Sequence, residues 1–429
     1  MTGQLSKYLF ELPQAKAFIE RLVKDVNEGR SLLVLLPNYM DPSLIWSLVS
    51  GPLERQDLYL RTIRLADIPS GRPPVSAISD ALNISWPSND IPRTPVNLMN
   101  ADDMPDIVLV KDLCMLSEAG QHEWLEFLSD WDEASQSAID QGRHPRQLVI
   151  IDSASELIPE PPMNSTNLYV HWWWGIPSIL EMRLLCRLAS NEDVTSPEAI
   201  WREHTLPNLA GNDISLMGFL WDRVQLSQEE LISDLCSFSD EQGWEIETLR
   251  SWGWPDSGSD DIKNLQNMAE PDPSWQRRPP PPPRQLRRLW AEGILSSSLE
   301  YGLECNIAAL ASLGDQEAVR HRIWRGQVEL ISPILDRLRI EVCEALTDTR
   351  HGSYWKERAG QMADGTTDSL FNQEWGEIVY LLNDVPEFRG EKRERRLASV
   401  AHLIRNDLYH YETITFDRFV NLDRLIKHG

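Results

Sequence analysis

Short apolar runs alternate with amphipathic stretches over the first 170 residues. Residues 31–36 (Ser-Leu-Leu-Val-Leu-Leu), 107–110 and 148–151 are continuous apolar runs bounded by turn formers, which predicts buried strands. Residues 58–63 alternate, and 168–171 form a further candidate strand. Between these runs, residues 15–28, 42–53 and 122–131 repeat apolar positions at helical spacing; in the last, Trp124, Leu125, Leu128 and Trp131 fall on one face. Strands this short, separated by helical segments, predict a parallel sheet covered on both faces. From Pro177 to about Leu249 every segment reads as helical, as in a lid or helical subdomain.

The pattern breaks between Pro255 and Arg284. A Ser/Gly/Asp-rich stretch leads to five prolines at 279–283, flanked by Arg277, Arg278 and Arg284. A proline run favours extended polyproline II and cannot continue a helix, so it reads as a semi-rigid spacer. After it, helical periodicity extends over 286–313, 315–346, 375–383 and 393–410. Thr415 caps a last helix whose apolar side is Phe416, Phe419, Val420 and Leu422. The expected division is an α/β domain over 1–176, a helical lid over 177–254, a Pro-rich linker over 255–284 and an all-α bundle over 285–429.

Charge separates the two ends. The chain carries −25 overall, but residues 284–429 hold 20 Lys+Arg against 23 Asp+Glu, whereas residues 1–283 hold 21 against 43. The N-terminal part should repel nucleic acid, and an RNA site in the C-terminal part must be a local basic patch. Five scattered cysteines lack metal-ligand spacing and read as buried free thiols of a reducing compartment. No apolar run reaches 18 residues, and the first nine residues carry no secretory pattern, so a cytoplasmic protein without a membrane span is expected. The 17 tryptophans, 13 of them before the proline run, include the triplet Trp172-Trp173-Trp174. Neighbours on a strand point to opposite faces, so these three cannot share one core. They mark either a protein-partner surface or packing beneath a neighbouring helix.

The order of strands over residues 15–250 resembles a P-loop NTPase of the AAA or STAND type. Residues 31–36 would be its first strand, 107–110 its Walker B strand and 148–151 its sensor strand. Phosphate binding there needs a glycine-rich loop followed by Lys and Ser or Thr. The loop position instead reads Pro37-Asn38-Tyr39-Met40-Asp41-Pro42-Ser43, with no glycine, no lysine and a carboxylate that would repel phosphate. Asp112 and Asp152 follow their strands without an acidic neighbour and read as structural. The expected domain is a degenerate one that holds or senses a partner without hydrolysing ATP.

The segment 398–411, Ala-Ser-Val-Ala-His-Leu-Ile-Arg-Asn-Asp-Leu-Tyr-His-Tyr, closes an apolar-periodic helix and contains Arg405, Asn406, three residues and then His410. This resembles the R-x₄₋₆-H motif of HEPN domains, in which a polar residue follows the arginine, and the likeness covers about 286–429. It implies a homodimer with a composite, metal-independent RNA-cleaving site built from Arg405, Asn406 and His410. It also implies an effector of the kind that recurs in bacterial defence and toxin systems. The residue types suit that chemistry. Imidazole, with an ordinary pKa of about 6.5, can take the 2′-OH proton and return it to the leaving 5′-oxygen. Guanidinium stays charged and stabilises the five-coordinate phosphate. Asn406 and His410 share a helix face, while Arg405 points about 140° away from His410, so one helix does not pair them. Two copies face to face could. A surface alternative pairs Arg405 with Asp407 or Glu412 and leaves His410 as a helix cap. Lys392, Arg393, Arg395 and Arg396, interleaved with Glu391 and Glu394, are weaker RNA-backbone candidates or a solvated face. On the long helix before them, Trp324, Arg325, Gln327, Arg337 and Arg339 are secondary candidates, with Trp324, Val328, Ile331 and Leu335 spaced as core. A non-catalytic adaptor with a helical dimerisation domain is the competing expectation.

Overall fold

The computed structural model describes residues 2–428 except 56–57, 87–90, 156, 158–159, 163–164, 191–192, 257, 269–280, 299, 356, 358–372 and 389. Residues 269–280, including the first two prolines of the five-proline run, lie outside the described residues, and the expected linker is not wholly a spacer, because its residues 259–268 form a helix. The end of the run lies within the described residues: Pro281 and Pro282 are buried against the body of the protein.

Helices α1 (Thr2–Leu9) and α2 (Pro13–Asn27) precede the sheet. It is built from β1 (Ser31–Leu36), β2 (Leu60–Arg64), β3 (Ile107–Lys111), β4 (Gln147–Ser153) and β5 (Leu168–Trp172), in the order β2-β3-β4-β1-β5, all parallel. All six residues of β1 are buried, as its unbroken apolar run requires of a central strand, while β2 at the edge is mostly exposed. The crossover from β1 to β2 carries α3 (Pro42–Glu54). Those returning through β3 to β4 carry α4 (Pro74–Leu82), α5 (Pro95–Met99) and α6 (Glu118–Asp140). Right-handed crossovers running in opposite directions put α3 and α6 on opposite faces. The expected first, sensor and Walker B strands thus lie side by side as β1, β4 and β3, in a five-stranded parallel α/β sheet.

The tryptophan triplet serves two cores. Trp173 packs edge-on against Phe10 and Phe18, whereas Trp172 meets Trp290 at 5.4 Å; both are buried and Trp174 is half-buried.

A helical group follows: α7 (Ile179–Ala189), α8 (Pro197–Ala210), α9 (Ile214–Leu220), α10 (Gln228–Glu241), α11 (Ile246–Ser251) and α12 (Ser259–Met268). The expectation of one helix over 286–313 is wrong. The chain makes α13 (Arg287–Ala291), an antiparallel hairpin of β6 (Leu295–Ser298) and β7 (Gly302–Cys305), and α14 (Ile307–Ser312). Gly293 and Gly302 adopt left-handed φ of 76° and 69°, which end the helix and shape the hairpin. The C-terminal region is therefore not wholly helical.

Beyond it lie α15 (Gln316–Asp348), α16 (Trp375–Asp384), α17 (Lys392–Tyr409) and α18 (Phe416–His428). Asp315 caps α15 by accepting from the Ala318 N–H at 3.0 Å. Helices α15, α16 and α18 pack around α17. Ile331 and Leu335 are core, while Trp324 and Val328 are half-buried. The first half of α15 lies tightly on α8. A Cβ at Gly326 would sit 2.8 Å from the His204 carbonyl oxygen, backbone that cannot swing aside. Arg322 and Arg325, both also on α15, reach Glu304 at 3.4 and 2.8 Å, and Arg325 bonds Asn208 on α8 at 2.7 Å. The Gly326→Ala chain should lose about 1–3 kcal/mol by overpacking. Gly51→Ala, in α3 with nothing within 4 Å of the added carbon, should be neutral or gain up to about 1 kcal/mol. Denaturant melts compare them, and a Gly326→Ala chain as stable as the native one contradicts the packing described.

Candidate functional site

Arg405 lies at the rim of a cleft of about 270 Å³ between α15, α16 and the end of α17. Its Nη2 donates to Glu374 at 3.0 Å, and its guanidinium lies 3.9 Å from the Tyr409 ring centroid. Arg339 enters the same cleft, donating to Asp336 at 2.9 Å and to the Gln373 carbonyl at 3.2 Å. Two guanidiniums and two carboxylates thus share the space, each guanidinium tied to an anion that a phosphate could replace. Arg337, by contrast, pairs along the exposed side of α15 with Glu341 at 3.5 Å.

Asn406 and His410 are not turned toward each other. The Asn406 amide nitrogen meets His402 Nε2, one turn back, at 3.1 Å, and Arg405 Nη1 reaches the Asn406 amide oxygen at 3.5 Å. His410 is the C-cap of α17, its backbone N–H bonded to the Asn406 and Asp407 carbonyls, and its imidazole is exposed. The surface pairings that could have absorbed Arg405 go elsewhere, since Asp407 bonds Arg418 and Glu412 bonds Arg320 at 3.3 Å. The helix end is held firmly. Trp324 Nε1 donates to the Leu408 carbonyl at 2.6 Å and its ring lies 4.7 Å from that of Tyr411, whose φ is 60°. Gln327 clasps the next turn, bonding both the N–H and the carbonyl of Ile414. Leu403, Tyr409 and Tyr411 at this end of α17 are each more than half exposed, as is Tyr380 on α16, and so are the carboxylates of Glu374 and Glu412.

The basic run lies at the other end of α17. Arg395 is about 15 Å along the axis from Arg405, at 1.5 Å per residue. It is bonded to the Phe388 carbonyl at 2.9 Å, and Arg393 approaches Glu394 at 3.8 Å. Lys392, Arg393 and Arg396 are exposed.

In the N-terminal domain the loop after β1 is closed from above. The Asn38 N–H, in a position where a phosphate loop offers donors, bonds the Ala291 carbonyl at 2.8 Å. A Cβ on Gly293 would stand 2.9 Å from Asn38 Oδ1 and 3.2 Å from the Tyr39 ring. A polar knot holds this lid down. Asp213 caps α9 through the Ser215 and Leu216 N–H groups and accepts from Asn306 at 3.0 Å, while Asn306 also donates to the Gly293 carbonyl at 3.2 Å. Tyr39 donates to Asn212 at 3.4 Å. Sequence reasoning missed this knot, because its members are 267 positions apart and only the hairpin brings them together.

Burial pushes the Asp213 carboxyl up to about 6, and also raises the Tyr39 phenol well above its ordinary range. Asp152 is buried, accepting from the Cys114 and Ser153 N–H groups, and Asp112 pairs with Arg64 at 3.1 Å. Both carboxylates tie loops together. Among the described residues no group of three or more His, Cys, Asp or Glu is placed to hold a metal, and no helix is long and apolar enough to cross a membrane.

No protein-family model and no curated protein matches the sequence. Among solved structures the chain is similar to the Aeropyrum pernix ORC2 protein in its ADPNP–ADP complexes, at 11% identity and a TM-score of 0.28, over 72% of this chain and 93% of that one. At that TM-score the likeness carries no weight, and the fold rests on the strand order itself.

The raised Asp213 value gives a pH signature. The folded state holds this proton more tightly than the unfolded chain, whose carboxyl titrates near 3.9. The contribution of Asp213 to stability is therefore complete below about pH 4 and lost as pH rises through about 6. The melting temperature of Asp213→Asn, measured against the native chain, should improve steadily from pH 4 to 7. A difference independent of pH contradicts the assignment.

Proposed function

We propose that the chain is a metal-independent endoribonuclease of the HEPN type, an effector of a bacterial defence or toxin system, whose site forms when two copies pair across the end of α17. The observation that carries this reading is the exposed His410 imidazole at the end of α17, whose last turns also carry half-buried Arg405 on another side of the helix and exposed Leu403 and Tyr409, with exposed Tyr411 just beyond. A guanidinium and an imidazole that one helix keeps apart, with exposed Leu and Tyr side chains near them, suit a site completed by a second copy across a self-complementary interface.

In this scheme His410 of one copy takes the 2′-OH proton of a ribose. The resulting oxygen attacks the adjacent phosphorus, and the phosphorus–5′-oxygen bond breaks. The proton passes to that leaving oxygen, giving a 2′,3′-cyclic phosphate and a 5′-hydroxyl. Arg405 leaves Glu374 for the phosphate and stabilises its added charge. Asn406 keeps contact with His402 and supplies its carbonyl oxygen to Arg405, so its role is to position the guanidinium. The basic positions at the start of α17 would guide RNA backbone from one side. The α/β domain acts as a scaffold or sensor, because the Gly293 turn occupies the space over its loop.

A second reading, a non-catalytic adaptor, is favoured by one specific feature: Arg405 and Arg339 are each already matched by a carboxylate. With EDTA present, the native chain should cleave RNA, and Arg405→Ala and His410→Ala should each lower the rate by at least about 10²-fold. Scattering should report a dimer for all three. Undiminished cleavage by both variants removes the ribonuclease assignment, and a dimer that cleaves no RNA favours the adaptor.

A further inference from the structure

A second cleft, of about 350 Å³, opens at the carboxyl edge of the sheet. Its floor is Leu35 of β1, Ala154 after β4 and Trp172 of β5, and its roof is the segment around α13. Open α/β sheets bind ligands outside the carboxyl ends of their strands, where neighbouring crossovers diverge. Here β1 and β4 are adjacent and their crossovers leave in opposite directions, so the cleft lies at that point. It is beside the loop that the Gly293 turn covers.

The lining is cationic and aromatic. Among the described residues, Arg284, Arg287 and Arg288 face one lining carboxylate, Glu160, in a chain whose net charge is −25. Arg284 Nε reaches Glu160 at 3.3 Å and Arg287 bonds the same carboxylate, so a single anion serves two guanidiniums. Arg288 bonds the Ser155 carbonyl and Glu292 at the cleft's edge. Three indoles complete the walls. Arg287 lies 4.9 Å from the Trp172 ring and Arg288 5.6 Å from that of Trp252. Trp290 donates to the Trp173 carbonyl at 3.1 Å, whereas the Trp172 Nε1–H is buried without a partner among the described residues. Trp252 is half-buried, which leaves indole surface open. Among the described residues, donors therefore outnumber acceptors in the cleft.

We propose that this cleft binds a nucleoside phosphate, with the phosphate taking the place of Glu160 between Arg284 and Arg287 and the base against the Trp252 indole. Guanidinium forks match phosphate oxygens, and indole faces stack on any base. The volume is at the small end for a ligand site and suits one nucleotide. Without a phosphate loop or its lysine, the cleft binds without hydrolysis. The same chemistry is offered by a free nucleotide and by the phosphorylated end of an RNA strand.

The test is a calorimetric and tryptophan-fluorescence titration of the full chain, in EDTA, with AMP, GMP, ATP, a 5′-phosphorylated RNA octamer and inorganic phosphate. Nucleotide binding should weaken about tenfold or more in Arg287→Ala. It should also weaken in Arg284→Glu, at an exposed position where the fold is not at stake, and tighten in Glu160→Gln, which frees both guanidiniums. Octamer binding displaced by AMP identifies a strand end as a natural occupant, whereas mononucleotide binding alone identifies a free nucleotide; either supports the proposal. It is overturned if native and Glu160→Gln chains bind no nucleotide, if Arg284→Glu binds as well as the native chain, or if inorganic phosphate binds as tightly as AMP. Repeating the titration on His410→Ala separates this result from RNA cleavage, so each reading can fail alone.

Discussion

The turn at Gly293 comes so near the loop after β1 that a single methyl group there would overlap the Asn38 side chain. That contact decides what the N-terminal sheet can do. A phosphate loop works by aiming free backbone N–H groups at an anion. Here the Asn38 N–H is already bonded to Ala291, and the space above it holds protein. The knot of Asp213, Asn306, Asn212 and Tyr39 fixes the lid in place, with a carboxyl that burial pushes up to about 6. The sheet keeps its architecture, and its carboxyl edge is roofed by the segment that carries Arg284, Arg287 and Arg288.

The same threading joins the two ends of the chain. The hairpin lies between the helical group and α15, and Gly326 lets α15 settle onto α8 at backbone distance. Arg322 and Arg325 bond across that seam to Glu304 and Asn208. The start of α15 is therefore packed on α8 at backbone distance, a base of the kind that the proposed site across two copies would need.

The sheet was legible because a central parallel strand has to be apolar on both faces. Residues 31–36, 107–110 and 148–151 are such runs, and they became β1, β3 and β4. The helix carrying Arg405 and Asn406 was legible from its 3.6-residue spacing. The hairpin was not. Leu289, Trp290, Ile294 and Leu295 fit a helical stripe as well as they fit a short helix followed by a strand, and only the left-handed Gly293 and Gly302 separate the two. The motif placed Arg405 at the end of a helix but could not show which carboxylate it meets, because Glu374 lies 31 residues away. The Arg–Trp cleft was equally hidden. Its indoles come from residues 172, 252 and 290, and the triplet alone could not show that Trp172 would line a pocket.

The central claim is that Arg405 of one copy and His410 of another act on the same ribose–phosphate linkage. The most direct measurement mixes inactive Arg405→Ala and His410→Ala chains, lets them exchange subunits, and reads RNA cleavage in EDTA. A shared site predicts that the mixture regains activity that neither chain has alone, since each mixed dimer keeps one arginine and one histidine. Mixed dimers that form but remain as inactive as their parents contradict it.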